Sequence, residues 1–315
     1  MAMRITKEMS RYYKEHRHKC TNCGYIFKND ERTHLGYLPK RQLVVLCDKC
    51  SYLLEKPIVN YIHFDDEYEE PQKNEILWRY MDLPKFISLI SRKELYFASA
   101  NSFEDIFEGA KGILNKKEKW DNFYRDFFEN AILTAPFQDK NELTIEKVKA
   151  DSERLVKELN ESGNLQRNNT FISCWHLNEY ESEAMWKLYS KDVSNALAIR
   201  TTFGNLYEAL DRNPYIDIGK VKYIDYKNTF TSVNGAFWYK RKSFEHEKEV
   251  RAIMRKHNTH ANGIYVRIDI KKLILGIHVS PYAQEWFVDV VKSIVQKYRL
   301  DVPVLSSQML EKPFY

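Results

Sequence analysis

The chain has 315 residues, of which 43% are hydrophobic and 30% charged, an ordinary soluble balance with enough apolar material for a sizeable core. Only 10 residues are Gly, and no GxxxxGK[ST] loop, GxGxxG fingerprint or GxSxG elbow occurs, so P-loop, dinucleotide-fold and α/β-hydrolase chemistry are excluded. No apolar run approaches the ~20 residues of a membrane span, and no apolar h-region follows the N-terminal charges, so a cytoplasmic protein without membrane attachment is expected.

The charge is uneven. Residues 1–60 hold 12 Lys+Arg against 6 Asp+Glu, whereas the remaining 255 hold 37 against 38. A basic module over 1–62 is therefore expected ahead of a near-neutral body over 76–315. The acidic, Pro-ended stretch between them, 63–75, reads as a solvated linker or as a loop lying against the basic module. Within the module, Cys20-Thr-Asn-Cys23 and Cys47-Asp-Lys-Cys50 are two CxxC pairs with 23 residues between them. Each pair can turn two thiolates toward one ion, and two pairs close a tetrahedral structural zinc site. Disulfides are the alternative, disfavoured in a chain without a secretory signal. The fifth cysteine, Cys174, lies in an apolar stretch and reads as a small core residue.

The text around the cysteines resembles the zinc-bound frame of HNH-type nucleases, or a treble-clef or zinc-ribbon module of that shape. Only His34 offers itself as a general base, and no catalytic-metal cradle accompanies it, so nuclease chemistry is not expected. Arg11, Lys14, Arg17, Lys19, Lys28, Arg32, Lys40 and Arg41 are interleaved with Tyr12, Tyr13, Tyr25 and Tyr37. That pattern fits either nucleic-acid binding or a solvated basic surface.

In the body, Ile76-Leu77-Trp78-Arg79-Tyr80 and Leu95-Tyr96-Phe97-Ala98-Ser99 read as strands flanking an amphipathic helix over Leu83–Lys93, with Pro84 in its first turn. Helix-period positions at 116–134 and 142–162 predict a helical insertion over about 115–165. Strands are expected at 170–175, 196–203, 217–226, 248–254, 264–269 and 273–279, then a helix at 281–299 and a short strand through Val302–Leu305. Short strands with helices inserted between them argue α+β: a mixed β-sheet core plus a small N-terminal four-cysteine module.

The series Leu77-Trp78-Arg79-Tyr80, Ser102-Phe103-Glu104-Asp105-Ile106-Phe107-Glu108, Ser173-Cys174-Trp175, Met185-Trp186-Lys187-Leu188-Tyr189 and Phe244-Glu245-His246-Glu247-Lys248-Glu249-Val250-Arg251 resembles a bacterial family known as a domain of unknown function. That family reads LYxY, SFNDPFE, CFS, MWxxY and WxYExExR, and the resemblance covers about 76–312. Glu104, Ile106, Phe244 and His246 depart from it. Its order looks similar to the R-S-E layout of ADP-ribosyltransferases. That likeness implies Arg79 on NAD phosphate, Ser173 bracing the pocket, and Glu247 and Glu249 as the catalytic pair, with Tyr80, Trp186 or Tyr189 stacking on the ligand.

The side chains suit this chemistry. Cleavage of the nicotinamide–ribose bond develops positive charge that a carboxylate stabilises, and glutamates at i and i+2 on a strand share a face. A planar guanidinium matches pyrophosphate. Against these stand plainer readings: Glu245, Glu247 and Glu249 on the wet face of an edge strand, facing Lys240, Arg241, Lys242 or Lys248; Arg79 in an ion pair with an acid such as Asp105; and Trp186 and Tyr189 in the core. The resemblance implies an NAD-dependent ADP-ribosyltransferase-like effector, of a toxin or phage-defence kind. Its acceptor would be a protein or nucleic acid, and an antitoxin is a further conceivable partner. A non-catalytic nucleic-acid or protein binding protein is the alternative. Read as an exposed cleft carboxylate, Glu249 is expected to contribute little to stability.

Overall fold

The computed structural model describes residues 5–135, 144–190, 192–257 and 261–315. The chain divides into two compact units, one comprising residues up to Glu67 together with Leu210–Ile216, the other Tyr68–Ala209 with Asp217–Tyr315.

The first unit opens with α1 (Lys7–His16), whose Thr6 side chain accepts from the Met9 amide as a helix cap. Three antiparallel strands follow, β1 (Arg32–Leu38), β2 (Gln42–Cys47) and β3 (Lys56–Ile62), in the order β2-β1-β3. Leu35, Val45 and Leu46 are fully buried at their centre and pack with Met9 and Phe27. Gly36 sits where β1 slips register against β3, and a Cβ there would lie 2.9 Å from the Lys56 carbonyl oxygen. Only the absence of a side chain permits that approach.

The first residues of the acidic stretch belong to this unit. His63 is buried beside Phe27, Asp66 pairs with Arg17 and His18, and Asn29 bonds Asp65. Opposite charge ties Asp66 to the basic residues of this unit, while Phe64 and Asp65 stay exposed. Several basic residues are likewise engaged inside the unit: Arg11 binds the Asp211 carboxylate and the Arg212 carbonyl, and Lys14 the Ile216 carbonyl.

The second unit is the α+β body, in which a mixed sheet carries helices between its strands. In chain order it holds β4 (Ile76–Asp82), α2 (Leu83–Arg92), β5 (Glu94–Ser99), α3 (Lys117–Thr134), α4 (Ile145–Asn169), β6 (Thr170–Leu177), α5 (Glu183–Tyr189), β7 (Ala196–Thr202) and α6 (Phe203–Ala209). Then come β8 (Ile216–Lys220), β9 (Lys222–Ile224), β10 (Tyr239–Arg241), β11 (Glu249–Arg255), β12 (Gly263–Arg267), α7 (Ile270–Leu273), β13 (Gly276–Val279), α8 (Glu285–Lys297) and β14 (Val304–Ser306). The main sheet runs β12-β5-β6-β4-β7-β13-β14, with β11 also on β6 and β8 on β11. The helical insertion is the α3–α4 pair. The expected start of its second helix at 142–143 lies outside the described residues.

Two sequence expectations are redrawn. The strand expected over 217–226 is two short strands, β8 and β9, and that over 273–279 begins as helix α7 and becomes β13 only at Gly276. Asp269 accepts from the Lys271 and Lys272 amides and so starts a helical turn inside an apolar run.

Two features of the sheet position the site. First, β7 presents Ala196 and Ala198 toward Trp78, Tyr80 and Trp186, and these small side chains make room for three large rings. Second, β11 pairs with β6 along all of Thr170–His176, so the opposite edge of β6 must serve both other neighbours. On that edge β5 pairs with Phe171 and Ile172, and β4 with His176 and Leu177. Ser173, Cys174 and Trp175 are left between them, where β4 and β5 splay apart. The sheet has a notch at its centre.

Candidate active site and metal centre

Register places the side chains around the notch. Antiparallel partners share a face, so His176, opposite both Trp78 and Glu249, lies on one side of the sheet with Cys174 and Arg251. Arg79 is one residue out of step with Trp78, on the other side with Ser173 and Trp175. Its guanidinium crosses the notch: Nη1 donates to Ser173 Oγ, Nη2 lies 3.4 Å from the Tyr96 carbonyl oxygen, and the group sits 5.5 Å from the Trp175 ring centre. Among the described residues no carboxylate pairs with it. Asp105, the partner considered from sequence, pairs with Arg241 instead. Burial with neutral partners pulls the Arg79 guanidinium down to about 10, so it is still a cation at neutral pH, and an uncompensated one.

A cavity of about 530 Å³ opens here, lined by Arg79, Tyr80, Tyr96, Cys174, Trp175, His176, Tyr189, Glu247 and Glu249, among others. Of the residues singled out from sequence, Arg79, Tyr80, Tyr189, Glu247 and Glu249 line it, and Ser173 braces Arg79 from behind. Trp186 does not. It is fully buried among Trp78, Tyr80 and Met185, and its Nε1 donates to Glu181. Its ring has no free face for a ligand, because the two β7 alanines have drawn it into the core.

The two glutamates meet in a different way from the one the i, i+2 spacing implies. Glu247 ends a 3₁₀ turn over Lys242–Glu247, Lys248 is left-handed with φ 40°, and Glu249 is the first residue of β11. Neither carboxylate is on a wet face: Glu247 is 8% and Glu249 3% exposed. Both reach the buried Lys240 ammonium, Glu249 at 3.1 Å. Glu249 also accepts from Arg251 Nε at 2.9 Å. Arg251, with no exposed surface, is clamped in turn by Glu108 at 2.6 and 2.8 Å and by the Phe237 carbonyl.

Burial alone would raise the Glu249 pKa, but Arg251 and Lys240 outweigh it and hold the carboxyl at about 2. Glu249 is therefore a fixed negative charge, suited to stabilising a cation and unsuited to carrying a proton. Burial pushes the Tyr80 and Tyr189 phenols up, and for Tyr189 the two glutamates add to this. Both hydroxyls stay protonated.

Lys240, Arg251 and Glu108 carry this arrangement; sequence reasoning offered Lys240 only as a cation facing a wet strand and gave Arg251 and Glu108 no role. The signal was there: Glu249-Val250-Arg251-Ala252-Ile253 sets opposite charges two apart on one face of an otherwise apolar strand. Such a pattern marks a buried ion pair, and Glu108 ends a quoted motif.

In the first unit, the sulfurs of Cys20, Cys23, Cys47 and Cys50 all lie within 4.8 Å of one another. No pair is bonded, and Cys23 and Cys47 are 3.9 Å apart. A tetrahedral ion with metal–sulfur bonds of ~2.3 Å sets its sulfurs about 3.8 Å apart, so the four thiols fit one closed four-sulfur metal site. Gly24, with φ +73°, turns the chain after the first pair so that its amide reaches the Cys20 carbonyl at 2.9 Å. The second pair rides from the end of β2 into the 3₁₀ turn Asp48–Leu53. His34 is tied to Asp48 at 2.5 Å and Asn60 at 2.7 Å.

No family model and no curated protein matches the chain. Among solved structures, DarT of Thermus sp. 2.9, determined in complex with ADP-ribosylated ssDNA, is similar over 76% of this chain and 97% of its own. The identity is 8% and the TM-score 0.34, a likeness too distant to place a residue or an activity.

Proposed function

We propose that the cavity of the second unit binds NAD and that the protein transfers ADP-ribose from it to an acceptor. The observation that carries this reading is one cavity lined both by Arg79, a half-buried cation paired with no carboxylate among the described residues, and by the Glu247/Glu249 pair. The pyrophosphate supplies the negative charge that Arg79 lacks. At the other end the nicotinamide–ribose bond breaks with its electron pair leaving on nicotinamide. The positive charge left on the ribose is stabilised by Glu249, ionised at every physiological pH. An acceptor oxygen or nitrogen then bonds to the ribose carbon and releases its proton. Tyr80 and Tyr189 offer ring surface to the ligand.

In this reading the four thiolates hold zinc as a structural ion, since four sulfurs leave no open position for chemistry. Nucleic acid is the acceptor or anchor the first unit suits best. Lys19, Lys28, Arg32, Lys40 and Arg41 are exposed, and Lys40 and Arg41 form the left-handed tip between β1 and β2. Arg11, Lys14 and Arg17, being engaged internally, are not part of that surface.

A second reading, a non-catalytic binding protein, draws on the pairing of both glutamates with Lys240. Calorimetric titration of the full chain with NAD separates the two. Binding that weakens at least tenfold in Arg79→Ala, with NAD turnover lost in Glu249→Gln, supports the transferase. Absence of NAD binding sinks it. Elemental analysis should find one zinc per chain. Nucleic-acid affinity should fall steeply with salt and with charge reversal at Lys19, Lys40 and Arg41.

A further inference from the structure

Beside Arg79 the cavity carries a pair of rings that the reading above does not use. Tyr96 and Tyr265 both line it. They are cross-strand partners on β5 and β12, with ring centres 5.1 Å apart, and they keep 38% and 48% of their surface exposed. Single exposed aromatics are ordinary, but two in contact on a cavity wall make a flat apolar patch. Both rings are held in place. The Tyr96 hydroxyl donates to the Asn262 carbonyl at 3.1 Å, and its ring lies over Gly263 so closely that a Cβ there would overlap it. The Arg92 guanidinium sits 4.1 Å from the Tyr265 ring centre and is itself paired with Glu94 at 3.0 Å.

The order of groups across the sheet says what these rings face. Ala98 pairs with Ile172, so Tyr96, two residues earlier, is on the same side of the sheet as Cys174 and His176, and therefore as Glu249. From β11 through β6 and β5 to β12 there are three strand spacings, about 14 Å before the notch widens them. Arg79 lies between the two ends. Its Nη1 donates to Ser173 of β6, and its Nη2 is 3.4 Å from the Tyr96 carbonyl oxygen. The cavity thus offers carboxylates, then a cation, then two aromatic rings. A dinucleotide presents the matching series of ribose, pyrophosphate and base.

We propose that Tyr96 and Tyr265 form a stacking subsite for the adenine ring of an adenine nucleotide, which on the transferase reading is the far end of NAD. The base of a nucleic-acid acceptor is the other flat ring such an enzyme would meet. An acceptor must reach the ribose carbon beside Glu249, however, and Arg79 with its phosphate stands between that carbon and the rings. The inference rests on the transferase reading for NAD as the ligand and on the two tyrosines alone for the base.

The test is calorimetric titration of the full chain with NAD, with AMP and with nicotinamide mononucleotide, which keeps the reacting end and lacks the adenosine. Wild type, Tyr265→Ala and Tyr265→Phe are compared, and binding of a single-stranded oligonucleotide is measured alongside. Tyr265→Ala is expected to weaken NAD and AMP by about five- to a hundredfold. Tyr265→Phe keeps the ring and should keep most of the affinity. Nicotinamide mononucleotide should bind all three proteins alike.

Tyr265→Ala with wild-type affinity for NAD and AMP overturns the subsite. So does nicotinamide mononucleotide binding wild type as tightly as NAD, a result that needs no variant to fold. Equal weakening of nicotinamide mononucleotide would place the rings at the reacting end, and loss of oligonucleotide binding with NAD unchanged would assign them to the acceptor. Either outcome overturns the adenine assignment. Wild type that binds AMP, with loss in Tyr265→Ala, but binds no NAD removes the transferase reading and leaves the subsite standing. Wild type that binds neither removes both.

Discussion

Arg79 and Arg251 approach β6 from its two edges, one from β4 and one from β11, and they come to rest within a few residues of each other along that strand. Arg251 has two carboxylates and a carbonyl around it and no exposed surface. Arg79 has a hydroxyl, a distant carbonyl and an aromatic face. The same side chain, in the same sheet, is compensated by the protein in one place and left for something else in the other. A folded chain that can surround one guanidinium with Glu108 and Glu249 has no general difficulty in doing so. The lack of an acid at Arg79 is thus a property of the site, and the proposal that the cavity takes an anion rests on it.

This contrast is sharpened most by breaking the compensated side. Arg251→Met should leave Glu108 buried without its clamping cation and Glu249 with Lys240 alone, a loss of about 3–5 kcal/mol by analogy with other broken buried pairs. Denaturant unfolding at neutral pH should show it as a large drop in midpoint at unchanged slope. A variant as stable as wild type would mean the cluster is not the keystone its burial implies.

The acid side of the cluster should respond to pH. Glu249 titrates near 2 when folded and near 4.3 in an unfolded chain. A depressed folded value contributes stability that is complete above the unfolded pKa and vanishes as pH falls through the folded one. Glu249→Gln should therefore cost about 2–3 kcal/mol at pH 7, with the gap to wild type closing between pH 5 and 2. Unfolding curves at pH 7, 4 and 3 would check it. This reverses the expectation of an inert cleft carboxylate. Loss of NAD turnover in this variant must accordingly be measured below its melting range, where a fall of ~10²–10³ is expected if Glu249 stabilises the transition state.

The reversal shows what the sequence could and could not carry. The α+β class, the CxxC pairs and the presence of Arg79, Glu247 and Glu249 at one site were legible, because each rests on spacing or on short ordered motifs. Depth was not. The i, i+2 rule assumes a regular strand, whereas a left-handed Lys248 brings the two glutamates together at the strand's start. Whether that start is wet or dry depends on Lys240, which lies 9 positions from Glu249 and reads from sequence only as a charge facing a wet strand, and on Glu108, 141 positions away, which no local pattern links to it. Trp186 failed as a stacking candidate for a related reason. Ala196 and Ala198, on a strand that follows its helix, decide which way the ring goes. The notch was out of reach as well, since it arises from three strands competing for two edges of β6.

The smallest effect on stability, and the most telling, is expected at Arg79. If this arginine were structural in the way Arg251 is, Arg79→Met should cost several kcal/mol. What it loses in the folded state is one bond to Ser173, a long contact to Tyr96 and a face on Trp175. What it gains is relief from holding a cation in a half-buried notch without a counter-charge. These nearly cancel, and a change of at most about 1 kcal/mol in either direction follows. Ligand affinity should move independently: NAD and ADP-ribose, which share the pyrophosphate, should both weaken, while nicotinamide alone should not. Equal weakening of all three would place Arg79 at the ring end of the cavity. A several-kcal/mol destabilisation would erase the distinction between the two arginines, and with it the argument that the notch is built to receive an anion.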